Sequence, residues 1–254
     1  MTTLIAGRLA ALVFPAACFG CGNPLEARQH LGACPACWAA LRPIPPPVCP
    51  TCGLPNPEGS SLLGPARGRC SNCILSPPAV STLRTGFVYD ERARRFVLRV
   101  KLGARRELLD PLGARLAAVV RADGGGPWDL VVPVPSHPWI DLRRGFSTSG
   151  RLARIVARES ELTFRRLFQR PVRSAGPSKR LGARARREAS RSAPRLRVRL
   201  RGERILLVDD VMTTGATLEG CAHALLAHGA SRVDGAILAR TLPRNGHKRG
   251  GKNA

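Results

Sequence analysis

The chain has 254 residues, 44% of them hydrophobic and only 4% aromatic, and a net charge of +24 from 41 basic residues against 17 acids. That length admits one ordinary domain plus a small one, and glycine and proline without a repeat exclude collagen, coiled coil and solenoid. The charge predicts attraction to polyanions such as nucleotides, nucleic acid or an anionic membrane surface, while the lack of an apolar run of 18 residues excludes a spanning helix.

At the start, the apolar stretch Leu9 to Ala17 ends at Cys18, a weak lipoprotein-signal pattern. A single basic residue before it, Arg8, and the interrupting Pro15 argue against that use, and a cytoplasmic protein is expected. Cys18 belongs instead to a series. Eight of the nine cysteines form four CxxC pairs: Cys18/Cys21, Cys34/Cys37, Cys49/Cys52 and Cys70/Cys73. Two residues between cysteines let both thiolates reach one tetrahedral ion from a tight turn, and two such knuckles supply the four sulfurs of a structural Zn²⁺. Gly22 and Gly53 follow the second cysteine of their pairs, where the chain turns with positive φ.

The gaps between pairs suit two successive zinc ribbons, but they also allow Cys34/Cys37 to join Cys49/Cys52. One or two zinc ions are expected, the second site being open to loss. Four disulfides in a secreted protein are the alternative, disfavoured because two-residue disulfide loops are strained. Residues 1–78 offer little other core, with Pro43, Pro45, Pro46 and Pro47 as a stiff spacer, so metal would supply about 10 kcal/mol of folding free energy per site. The ninth cysteine, Cys221, reads as a small core residue in a helix.

Beyond Pro78 the texture becomes α/β. Leu83 to Tyr89 predicts a strand, Glu91 to Leu102 and Leu108 to Val120 predict helices, and Leu130 to Val134 a buried strand ending at Pro135. Arg151 to Arg158 predicts a helix, Ile205 to Val208 a strand, Ala216 to His228 a helix and Val233 to Ala239 a strand. This alternation predicts a parallel sheet with flanking helices over 79–241. A disordered basic tail is expected over 242–254.

Within this domain, residues 165–204 hold 15 basic residues and two acids, Glu188 and Glu203. Arg180, Arg184, Arg187 and Arg191 would share one helix face. Arg195, Arg197, Arg199 and Arg201 alternate with Leu196, Val198 and Leu200, which predicts a half-buried strand turned by Gly202 into the next one. Such a segment binds phosphate without reading sequence, or is a solvated loop.

The most informative string is Ile205-Leu-Leu-Val-Asp209-Asp210-Val-Met-Thr213-Thr214-Gly215-Ala216-Thr217-Leu218. A buried strand runs into two carboxylates, then a small-residue loop, then a helix. Backbone N–H groups and the helix dipole at such a start favour an anion. Thr213, Thr214 and Thr217 add hydroxyl donors, and Gly215 lets the backbone approach. Carboxylates repel phosphate, so Asp209 and Asp210 are read as acceptors of hydrogen bonds from sugar hydroxyls. A dianionic phosphate beside a diol is a ribose 5-phosphate. The competing reading is a plain helix cap with solvated acids.

This string resembles the phosphoribosyl pyrophosphate (PRPP) loop of type I phosphoribosyltransferases. Together with the four CxxC pairs, Val132-Pro-Val-Pro135, His137-Pro138 and Arg144-Gly-Phe146, the chain from about Phe14 to Arg240 resembles the ComF family of competence-associated proteins. The resemblance implies a double zinc ribbon before a type I phosphoribosyltransferase-like parallel sheet. It implies that Asp209 and Asp210 contact the ribose, that Thr213, Thr214, Gly215, Ala216 and Thr217 hold the 5-phosphate, and that Pro135, Ser136 and His137 lie near pyrophosphate. Lys101 and Arg144, with Lys179, would stabilise the leaving group alongside Mg²⁺. His137 has a structural loop role as its alternative.

Two departures bear on activity. Ser147-Thr148 stands where the family has Asn-Gln, and Pro177-Ser-Lys179-Arg-Leu181-Gly keeps only part of the family's flexible loop. The resemblance implies PRPP binding and phosphoribosyl transfer in DNA uptake, and these departures make it support binding more than turnover. The alternative is a non-catalytic competence accessory protein that binds DNA through 165–204 and uses the pocket as a sensor. A purely structural zinc protein is the third reading. The sequence does not name the acceptor or the oligomeric state.

Overall fold

The computed structural model describes residues 17–25, 32–56, 68–102, 106–122, 126–136, 141–142, 145–169, 194–196 and 198–243. Two one-turn helices, α1 (Pro35–Ala39) and α2 (Ser71–Leu75), lie in the cysteine-rich part. There follow β1 (Leu83–Val88), α3 (Glu91–Lys101), a 3₁₀ turn (Arg106–Leu108), α4 (Leu109–Ala122), β2 (Leu130–Pro133), α5 (Thr148–Glu159), β3 (Thr163–Phe164), β4 (Arg204–Met212), α6 (Ala216–Ala227) and β5 (Arg232–Arg240).

The strands form one sheet in the order β1-β5-β4-β2-β3, and every pairing is parallel. Helices cover both faces. Along β4, Leu206 and Val208 join Leu112, Leu116, Leu152 and Val156 in one core, while Ile205 and Leu207 join Leu218, Cys221 and Leu225 in the other. The period of two thus makes one apolar run serve two cores, as a central parallel strand requires. Cys221 is the buried core residue expected.

The helices start where side chains satisfy their free N–H groups. Asp90 accepts from Arg92 N and Ala93 N at 3.0 Å to open α3. The apolar face Ala93, Phe96, Val97 and Val100 of α3 is buried. Ser147 accepts from Gly150 N at 3.2 Å to open α5, which begins three residues before the predicted start.

The cysteine-rich part is docked on the sheet rather than tethered to it. Cys18, Phe19, Leu25, Ala33 and Leu41 belong to the core that contains α4 and α5. The Trp38 and Phe96 rings lie 5.1 Å apart. Val88 N donates to Arg42 O at 2.8 Å and Leu83 N to Pro50 O at 3.0 Å, so both ends of β1 are held by it. Among the described residues no helix is long and apolar enough to cross a membrane.

Three expectations change. Among the described residues of 195–200 there is no sheet strand: Leu196 makes an isolated bridge to Phe168, and Leu200 N bonds His228 O at 2.8 Å. Both edges of β4 are already taken by β2 and β5, so no free edge remains for it. Leu196 and Leu200 are nevertheless buried and Val198 is exposed. Strand β4 does not stop at Val208 but continues through both acids to Met212, because β5 stays paired with it as far as Arg240. Edge strand β3, only two residues long, carried no periodic signal. The arginine helix expected at 180–191 and the tail beyond residue 243 lie outside the described residues.

Candidate functional site

The cysteines gather in two sets, Cys18/Cys21/Cys34/Cys37 and Cys49/Cys52/Cys70/Cys73, with all sulfurs of a set within 4.8 Å of one another. This selects successive ribbons over the crossed pairing, and every one of these cysteines is free of disulfides. Four sulfurs about 2.3 Å from a zinc ion stand about 3.8 Å apart at tetrahedral corners. Cys21 and Cys34 sulfurs are 3.9 Å apart and those of Cys52 and Cys70 are 3.7 Å apart. The donor sets fit zinc at both sites, so the second ribbon is not degenerate.

The two ribbons repeat one another in detail. Gly22 N bonds Cys18 O and Gly53 N bonds Cys49 O, at 2.8 and 2.7 Å. These glycines have φ of +82° and +67° as the knuckle turn demands. Cys34 and Cys70 cap one-turn helices with ψ of 158°. Their amides donate to Cys18 and Cys49 sulfurs at 3.2 and 3.4 Å. Burial opposes ionisation of Cys18 and Cys49, but these and neighbouring N–H groups outweigh it and bring the thiols down to about 6 and about 7. The amides are thus placed for metal-bound thiolates.

The second assembly sits at the C-terminal edge of the sheet, where ligands of open α/β sheets bind. Gly215, at φ +83°, caps α6, and Thr214 Oγ1 lies 3.4 Å from Ala216 N as acceptor. Thr213, Thr214, Ala216 and Thr217 are exposed, and Gly215 is half-buried. The loop between strand and helix is only Thr213 to Gly215, shorter than the sequence suggests, because β4 is longer.

The two acids straddle the sheet. Asp210 follows Leu206 and Val208 in parity and meets the α3 side, where Lys101 Nζ donates to its Oδ1 at 2.8 Å. Asp209 follows Ile205 and Leu207 toward α6, and its Oδ1 accepts from Asp210 N at 2.8 Å. Burial and the Asp210 carboxylate raise the Asp209 pKa well above the carboxylate range, against the lowering effect of the Asp210 amide and the Lys101 cation. Lys101, expected beside pyrophosphate, is here the counter-ion of an acid.

Pro135 and Ser136 follow β2, whose Val134 N bonds Val208 O at 2.9 Å. Their turn therefore lies beside the end of β4. Ser136 Oγ donates to Asp141 carboxylate at 2.6 Å and contacts Ser147 Oγ at 3.1 Å. Asp141 is buried, and sequence reasoning did not single it out. A lone acid four residues beyond His137 carries no spacing signal. The structure brings Lys101, Asp209, Asp210, Thr213 to Thr217, Pro135 and Ser136 to one sheet edge. His137, Arg144 and Lys179 lie outside the described residues.

The family comparisons agree with this division. A double zinc ribbon domain matches residues 9–74 and a phosphoribosyl transferase domain matches residues 107–253. The chain is 31% identical over 235 residues to the DNA utilization protein YhgH of Escherichia coli O157:H7, covering 91% of this chain and 100% of that protein. It is 23% identical over 215 residues to the competence protein ComFC of Bacillus subtilis, covering 82% and 84%. To the competence protein F of Haemophilus influenzae it is 25% identical over 231 residues, covering 88% and 96%. With two four-cysteine centres docked on a parallel sheet that ends in the Asp209-Asp210 and Thr213–Thr217 turn, the chain belongs to the ComF family, a double zinc ribbon joined to a phosphoribosyltransferase domain.

Proposed function

We propose that this protein binds PRPP at the C-terminal edge of its sheet and transfers the phosphoribosyl group with release of pyrophosphate. The observation that carries the reading is the pair of acids in the last four residues of β4, with an exposed threonine turn from Thr213 leading into α6. In this reading Thr213, Thr214 and Thr217 hydroxyls and the N–H groups of Gly215 and Ala216 take the 5-phosphate. Asp209 and Asp210 take the ribose hydroxyls. Lys101, which holds Asp210 in the free protein, would be released toward the leaving group as the ribose hydroxyls take its place on Asp210.

The bond from ribose C1 to the pyrophosphate oxygen breaks as the acceptor's bond to C1 forms. Positive charge grows on the sugar while negative charge grows on the leaving group. Asp209 and Asp210, the latter as the carboxylate, are assigned to the first, and Lys101, Arg144 and Lys179 to the second. Mg²⁺, if bound with PRPP, would be held on the side of Asp209 and Asp210 and would neutralise charge on the leaving group. Pro135, Ser136 and His137 are assigned to the pyrophosphate side, with Asp141 holding Ser136. The module boundaries we assign are 1–78 for the ribbons and 79–241 for the transferase domain.

The net charge of +24 and the names of the relatives, DNA utilization protein and competence protein, favour a second component. We assign this protein to DNA uptake, with DNA held through the arginine-rich segment 165–204. In the non-catalytic form of this reading, the pocket senses a phosphoribosyl ligand while the ribbons and arginines handle DNA. A competition assay separates the ligand from its parts: ribose 5-phosphate should displace labelled PRPP and free ribose should not. Equal displacement by ribose would rule out the phosphate-binding turn. Pyrophosphate release from PRPP then divides enzyme from sensor.

A further inference from the structure

Arg240, the last residue of β5, is a buried cation at 6% exposure. Its Nη1 donates to the Cys52 carbonyl, and its Nε has no hydrogen-bond partner among the described residues. No carboxylate among them pairs with it. A guanidinium buried without a counter-charge costs several kcal/mol. Cys52, whose carbonyl Arg240 binds, belongs to the second four-sulfur set, which carries the opposite charge when it holds zinc.

A zinc ion bound by four thiolates is doubly negative as a unit, which a cation at its rim offsets. Thr51 Oγ1 and Thr85 Oγ1 are also buried without partners, Thr51 lying between Cys49 and Cys52. A methyl on Gly53 would stand 3.3 Å from Thr85 Oγ1 and 3.1 Å from Leu83 O. Among the described residues no other arginine is buried, so the first ribbon has no equivalent.

We infer that Arg240 is the counter-ion of the second zinc centre, and that through it this centre positions the turn at the end of β4. The strand register carries the connection: Arg240 pairs with Met212. Next to it, Thr241 N donates to Met212 O at 3.1 Å, and the Thr241 hydroxyl reaches Met212 O and Thr213 O at 3.4 Å. Metal at the second ribbon thus fixes the end of β5, and β5 fixes the first residue of the turn. The counter-ion role stands independently; the effect on ligand rests on the reading given above.

The test is zinc retention by the full chain against the chelator 4-(2-pyridylazo)resorcinol, read as the two ions leave. Arg240→Gln keeps a donor for the Cys52 carbonyl but removes the charge. It should weaken one zinc ion by about 10–100-fold and leave the other unchanged, while Arg240→Lys stays close to the parent. Retention by Arg240→Gln equal to the parent, or a Lys variant as weak as Gln, overturns the inference. Should Arg240→Gln fail to fold, Arg240→Met against Arg240→Lys decides: the neutral variant should lose zinc from the second site faster than the charged one, and equal retention would contradict the assignment. Calorimetry with PRPP and Mg²⁺ on the same proteins separates the two claims. Affinity should fall in the order of zinc loss; no binding by the parent would defeat the ligand reading while leaving the zinc result standing.

Discussion

Lys101 at the C-terminal end of α3 places its Nζ 2.8 Å from Asp210 Oδ1 on β4, across 109 positions of sequence. The side chains retain only 22% and 13% of their exposure, so the pair is screened less than a surface bridge. Removing Lys101 leaves the partly buried Asp210 carboxylate without its cation. Lys101→Met should destabilise the chain by about 1.5–3 kcal/mol in urea unfolding, as expected for a charge-assisted hydrogen bond. In a double-mutant cycle Asp210→Asn should recover a large part of that loss. Strict additivity would show that the contact contributes nothing.

Asp209 gives stability a definite pH dependence. Its usual value of 3.8 is raised to about 8 by burial and the Asp210 charge. Between those values the unfolded chain has released this proton and the native chain still holds it. Stability therefore falls as pH rises through this window and levels off above it. Other carboxylates add their own slopes, so the useful quantity is the difference from Asp209→Asn. The variant should gain stability relative to the parent from about pH 4 to about pH 8, measured by denaturant midpoints. A difference independent of pH would show that Asp209 is ionised in the native protein throughout.

Gly215 tests the turn itself. At φ +83° an L-side chain costs about 1–2 kcal/mol. A Cβ would also stand 2.3 Å from Met212 Cε, the movable end of a flexible side chain, so the backbone cost dominates. Gly215→Ala should lower the free energy of unfolding by that amount and weaken phosphate binding more than it weakens stability.

Because first-ribbon residues such as Phe19 and Leu41 share a core with α4 and α5, zinc should stabilise more than the ribbons. Stripping both ions should lower the melting temperature of the whole chain by about 10 °C or more, in one transition. An unchanged main transition with only a small early one would show that the ribbons melt alone.

Thiol accessibility offers a simple check on the cysteine assignments. Cys221 is fully buried, and burial raises its pKa far out of the reactive range. Native zinc-loaded protein should leave Cys221 unalkylated by iodoacetamide. All nine cysteines should react after denaturation with a chelator. Labelling of Cys221 in the native state would contradict its place in the core.

Much of this was legible in the residues. Continuous apolar runs marked β2 and β4 because strands buried on both faces need them, and the CxxC spacing marked both metal sites because the chemistry fixes it. The acids and threonines were visible because a strand, a turn and a helix follow one another without interruption. What the sequence hid depends on the third dimension. Nothing local pairs Lys101 with Asp210, sets Arg240 against Cys52, or places Asp141 under Ser136. The alternation at 195–201 read as a strand, yet its neighbours left it no edge to pair with. Its burial pattern at Leu196 and Leu200 survived, its hydrogen bonding did not.

The end of β4 and the first turn of α6 are proposed to hold a sugar phosphate, and the transferase reading depends on that. Calorimetric titration of the full zinc-loaded chain with PRPP and Mg²⁺ addresses it directly, beside the Asp209→Asn, Asp210→Asn double variant. The parent should bind saturably, one to one, and the variant should lose at least about tenfold in affinity, about 1.4 kcal/mol or more. Equal affinity in both proteins, or no heat from the parent, would contradict it.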